Sequence, residues 1–92
     1  MDNKDYQTFC SKKVKDGYTV EVFALGLGGE TGEVLDIIKK SRRDKKPIDI
    51  NHMKEELGDV YWYLANLCTS FGFSIDEVLE YNINKLKERY KV

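Results

Sequence analysis

The sequence predicts an all-α protein, a four-helix-bundle-type protomer, and three observations carry that prediction. Apolar residues recur at three- and four-residue spacing, strand-like alternation is nowhere sustained, and turn signals fall at intervals suited to helices. With 92 residues the chain has the length of one domain, read as residues 1–92.

The first periodic stretch is followed by Asp16-Gly17, and a glycine just past a helix suits its left-handed cap. Thr19 can then cap a second helix starting near Val20. That helix is expected to end near Arg42, where Lys39, Lys40, Arg42 and Arg43 suit the negative end of its dipole. Pro47 breaks the basic loop that follows, and Asp49 or Asn51 can cap a third helix reaching Gly72. Ser74-Ile75-Asp76-Glu77 is an S-x-x-E capping box opening a fourth. The third helix carries the stripe Met53, Leu57, Val60, Leu64, Leu67 and Phe71, and the fourth carries Ile75, Val78, Leu79, Ile83 and Leu86. Each stripe is expected to bury one face, as a bundle requires.

Composition narrows the function. Apolar residues make up 41% and charged residues 34%, an ordinary globular balance rather than that of a disordered chain. A net charge of −1 lacks the basic footprint of a nucleic-acid binder, so no nucleic acid polymer is expected as partner. No apolar run approaches the roughly 18 residues of a membrane span, and the start MDNKDYQTF has no apolar signal core. The expected compartment is the cytoplasm. Cys10 and Cys68 lack metal or redox spacing and read as reduced thiols. A core this small is marginal, so association with further copies is expected to bury more apolar area.

The informative residues interrupt the stripes. At about 100° per residue, Glu30 points between Phe23, Leu27 and Val34, with Glu33 at the edge of the same face. Glu56 and Asp59 repeat the i,i+3 relation on the third helix. A buried carboxylate without a partner is costly, and two such pairs on neighbouring antiparallel helices repel. A divalent cation resolves both problems. Clustered carboxylate oxygens suit magnesium, manganese or calcium, whereas zinc favours His and Cys. Di-iron bundles need two E-x-x-H motifs, and this chain has none. His52, the single histidine, reads as a surface or capping residue. Gly26, Gly28, Gly29 and Gly32 surround Glu30, and each costs a helix about 1 kcal/mol relative to alanine. Close helix approach or room for a ligand must compensate them, and Gly58, between Glu56 and Asp59, poses the same choice.

The stretch Gly26-Leu27-Gly28-Gly29-Glu30-Thr31-Gly32-Glu33-Val34, with Glu55-Glu56-Leu57-Gly58-Asp59-Val60-Tyr61-Trp62-Tyr63-Leu64, resembles the MazG-like nucleotide pyrophosphohydrolases. Their signature is E-x-x-E, a variable spacer (here residues 34–55), then E-x-x-D. The likeness extends from Tyr6-Gln7 to the segment Asn82-Ile83-Asn84-Lys85-Leu86-Lys87-Glu88-Arg89-Tyr90. It implies a homodimer or homotetramer that cleaves an NTP or dNTP between its α and β phosphates, often to sanitise the nucleotide pool. It also implies Glu30, Glu33, Glu56 and Asp59 as Mg²⁺ ligands, with Mn²⁺ able to substitute, and Asn82 and Lys85 as substrate contacts. Arg89, at i+4 from Lys85, would add a phosphate contact. Relatives that hydrolyse phosphoribosyl-ATP share the architecture, so the nucleotide stays open.

On this reading a carboxylate not fully engaged as ligand accepts the proton of the attacking water, and the edge position favours Glu33 as catalytic base. Lys85 and Arg89 stabilise charge on the departing pyrophosphate. Tyr63 points nearest to Glu56 and Asp59 and could stack on the base, whereas Trp62 points away by about a third of a turn and suits a subunit interface equally. The basic segment 39–46 reads as solvated rather than phosphate-binding. Three rivals stay open: a non-catalytic interaction module with structural acidic pairs, a redox metal-binding bundle that the missing histidines disfavour, and a phosphoribosyl-ATP hydrolase.

Overall fold

The computed structural model describes residues 1–91, and its regular structure there is four helices with no strand. They are α1 (Asn3–Ser11), α2 (Val20–Asp44), α3 (Ile50–Ser70) and α4 (Ile75–Arg89). Each begins at a residue whose side chain replaces a missing backbone partner. Asp2 accepts from the backbone N–H of Asp5, Thr19 from that of Val22, and Asp49 from those of Asn51 and His52. Ser74 and Glu77 form the complete capping box of α4.

The helix ends are set more subtly. Gly72, at φ 78°, ends α3 in a Schellman arrangement: Phe73 N–H reaches Cys68 O and Gly72 N–H reaches Thr69 O. Two boundaries differ from the sequence reading. Helix α1 stops at Ser11, so Gly17 is not its cap. That glycine instead supplies φ 89° in the loop that turns the chain toward the Thr19 cap. Helix α2 continues past Arg42 to Asp44, because Lys45 adopts the left-handed conformation and donates its N–H to Ser41 O. Most of the basic segment 39–46 is therefore helix.

A short connection, residues 45–49, folds α3 back along α2, and these two helices form the principal packed pair. Helix α1 lies across α3, and α4 rests on α1. Cys10, Ala65, Cys68 and Ile75 form the buried centre, with Tyr6 and Trp62 packed against it. Phe23 is buried edge-on to Trp62, ring centroids 6.2 Å apart. Gln7 ties three elements together. Its amide donates to Thr69 Oγ1 and Phe73 O and accepts from the N–H of Ile75, at 2.8–3.0 Å.

The stripes are only partly buried within the protomer. On α3, Met53, Val60 and Leu67 are half-buried, while Leu57, Leu64 and Phe71, the alternate members of the same stripe, are exposed. On α4 only Ile75 is buried, and Val78, Leu79 and Ile83 are exposed. The expectation that α4 buries a face within one chain is corrected: it touches chiefly the nine-residue α1, which is too short to cover it. The radius of gyration, 15.8 Å, exceeds the roughly 12 Å of a compact chain of this length.

Candidate functional site

The pairing of α2 with α3 brings carboxylates together from both helices. One ligand oxygen from each of Glu30, Glu56 and Asp59 lies within 4.8 Å of the other two. Glu30 and Glu56 are half-buried and Asp59 is exposed, so the cluster opens to solvent on one side. Desolvation, a hydrogen bond with Glu56, and repulsion from Asp59, Glu56 and Glu33 hold the Glu30 carboxyl above its ordinary range. A cation held among these carboxylates would offset that repulsion. Its donor set, carboxylate oxygens converging from one open side, fits a hard divalent ion.

Tyr63 borders this cluster. Its ring lies over Gly26, where an added Cβ would overlap the ring atoms. Gly26 therefore lets the Tyr63 ring of α3 lie directly against the backbone of α2. Burial, followed by the neighbouring Tyr18, Glu30 and Asp59, holds the Tyr63 phenol above its usual range. Trp62 meets Tyr63 edge-on, at 5.0 Å between centroids, and also Phe23, so it belongs to the aromatic packing. The other helical glycines behave differently. A Cβ at Gly28, Gly29, Gly32 or Gly58 would meet nothing within 4 Å, so within the protomer these glycines border open space.

Glu33 lies outside the three-residue cluster. It lines a neighbouring recess with Asp36, Ile37, Lys40 and His52, still close enough to add to the repulsion on Glu30. Asn82 and Lys85 line a groove on α4 with Phe73, Glu77, Val78 and Tyr81, which shares no residue with the acidic cluster. Arg89 is the last residue of α4. Of the residues singled out in the sequence, the protomer joins Glu30, Glu56, Asp59 and Tyr63, sets Glu33 beside them, and leaves the α4 groups apart. In the basic segment, Lys39 and Lys40 pair with Asp36, and Arg43 pairs with Asp44.

Two neighbours of the cluster escaped the sequence reading. The Nε2 of His52 lies 3.3 Å from Oε1 of Glu56, one turn further along α3. The i,i+4 spacing of the two residues was the available signal. Tyr6 Oη reaches Gly58 O at 3.5 Å, linking α1 to the segment bearing Glu56 and Asp59. Its phenol is held far above the usual range by burial, then by its hydrogen bond with Cys10, with Asp59 adding to the effect.

Comparison with known proteins points to one family. The model of the MazG nucleotide pyrophosphohydrolase domain matches residues 18–92, which contain all of α2, α3 and α4. The chain is also 38% identical over 69 residues to the Gene 37 protein of Mycobacterium phage L5. That match covers 71% of this chain and 60% of the phage protein, so the chain spans less than two thirds of its relative's length. No solved structure matches the chain. No helix among the described residues is long and apolar enough to cross a membrane. Domain match, helical architecture and paired carboxylates together place the chain in the MazG nucleotide pyrophosphohydrolase family.

Proposed function

We propose that the protein is a Mg²⁺-dependent nucleoside triphosphate pyrophosphohydrolase, converting an NTP or dNTP to its monophosphate and pyrophosphate. The family supports nucleotide pyrophosphohydrolase activity on a divalent metal in general. The observation that carries the finer reading is the convergence of Glu30 with Glu56 and Asp59 from two helices. These three, with Glu33 beside them, would hold Mg²⁺, or Mn²⁺ in its place. The bound ion supplies neutralisation of triphosphate charge and polarisation of the reacting groups.

The chain's own groups divide the remaining work. Hydrolysis adds water across the bridge between the α and β phosphates: one P–O bond forms, the bridging P–O bond breaks, and a proton leaves the water. Glu33, outside the three-residue group and so the carboxylate least engaged as ligand, would accept that proton as general base. Tyr63, seated at the cluster's edge, offers an aromatic face to the base. Asn82, Lys85 and Arg89 would contact the substrate's phosphates. Because α4 packs on α1, away from the cluster within one protomer, these contacts call for α4 of another copy. The exposed apolar residues of α3 and α4 are available to a homodimer or homotetramer. In this reading the protein acts in the cytoplasm and cleanses the nucleotide pool.

Turnover across a panel of NTPs and dNTPs tests the reading, with monophosphate and pyrophosphate as products and Mg²⁺ present or chelated. Phosphoribosyl-ATP belongs in the panel as the substrate of the related class. The same exposed apolar faces favour a second reading, a non-catalytic interaction module. That reading gains if no nucleotide turns over and no divalent ion binds.

A further inference from the structure

Resting on the divalent-metal reading above, we infer that His52 is a positioning residue that holds the Glu56 carboxylate in its ion-binding orientation. Two contacts place the histidine. Its backbone N–H donates to Asp49 Oδ1 at 3.2 Å, which fixes it in the first turn of α3. Its Nε2 lies 3.3 Å from Oε1 of Glu56, four residues along the same face. The imidazole is not a member of the ligand group, which comprises Glu30, Glu56 and Asp59. It therefore meets Glu56 from outside the cluster.

That outer contact answers a specific problem. Glu56 stands among like charges, and with no ion bound its flexible side chain is driven to swing its carboxylate toward solvent. An N–H donor on the outer side of the carboxylate opposes the swing, and imidazole carrying hydrogen on Nε2 provides one in either its neutral or cationic form. The side chains are arranged accordingly: that of His52 is 50% exposed, while that of Glu56, its partner within the cluster, is 18% exposed. Orientation by an outer partner raises ion affinity because the ligand no longer loses that freedom on binding.

The test uses the full chain at one fixed pH, with Mn²⁺ as probe and the EPR signal of the free aqua ion as readout. Wild type is expected to bind Mn²⁺ and Asp59→Ala to lose that binding. His52→Ala is expected to weaken binding about tenfold, and His52→Gln, whose amide keeps a donor, to recover most of the loss. Melting of His52→Ala in EDTA should match wild type, since the backbone bond to Asp49 remains. Wild-type affinity in His52→Ala would overturn the inference while leaving the metal reading intact. Equal weakening in both variants, together with lowered melting in EDTA, would reduce His52 to a structural residue. Absence of Mn²⁺ binding in wild type would remove the metal reading and, with it, the positioning role.

Discussion

The α2–α3 pair and helix α4 are both amphipathic in sequence, yet they meet opposite fates in the protomer. Along α2 and α3 the departures from the apolar pattern are carboxylates, and packing the two helices together brings them into one acidic cluster that raises the Glu30 carboxyl above its ordinary range. Along α4 the pattern is cleaner, but only Ile75 finds the core, and Val78, Leu79 and Ile83 stay exposed beside Asn82 and Lys85. The difference teaches that a stripe specifies a face, not the surface that covers it. The packed pair gathers carboxylates, whereas α4 leaves most of its apolar face open within the protomer.

The strongest way to break this comparison is to remove a cluster carboxylate. Glu56→Ala and Asp59→Ala should each lower turnover by more than the roughly 100-fold that loss of a supporting partner can cost, with far-UV circular dichroism unchanged. Retained turnover in both would dissolve the cluster as a site. Changing Ile83 to Glu should leave helicity intact but lower the sedimentation coefficient, and turnover with it, if α4 docks on another copy. An unchanged coefficient would leave that face uncovered.

The close approach of the pair can be probed at its glycines. Gly26→Ala forces a methyl into the Tyr63 ring and should cost about 1–3 kcal/mol in denaturant unfolding. Gly28→Ala adds a methyl in open space and should stabilise the isolated protomer by up to about 1 kcal/mol. A loss at Gly28 equal to that at Gly26 would mean a covered surface there too.

The smallest expected effect concerns charge. Because the folded Glu30 carboxyl is raised above its unfolded value, the folded chain holds that proton to higher pH than the unfolded chain does. Stability from this group is therefore present below the ordinary glutamate value and lost as pH rises through the raised folded one. Glu30→Gln in EDTA should melt higher than wild type at neutral pH, with the difference shrinking toward acid. Identical melting at both pH values would show that the cluster imposes no strain.

The sequence makes local features legible and non-local ones only in part. Thr19, Asp49 and the Ser74–Glu77 box were readable because a cap is decided within a few residues. Glu30, Glu56 and Asp59 were readable because each interrupts or flanks an apolar stripe, and a short loop makes their helices neighbours. The end of α1 was misplaced because Gly17 serves the loop rather than the helix. The exposure of α4 was not readable, since its coverage depends on α1 and on surfaces beyond the protomer. His52 reads from the sequence as a surface or capping residue, and its exposed place in the first turn of α3 agrees, but its contact with Glu56 shows only once the side chains are placed.

The most direct test of the central claim is ³¹P NMR of the reaction with the best nucleotide substrate, with Mg²⁺ or EDTA, for wild type and Asp59→Ala. The account predicts resonances of nucleoside monophosphate and pyrophosphate only for wild type with Mg²⁺. Orthophosphate and a diphosphate, or undiminished turnover by Asp59→Ala, would contradict it.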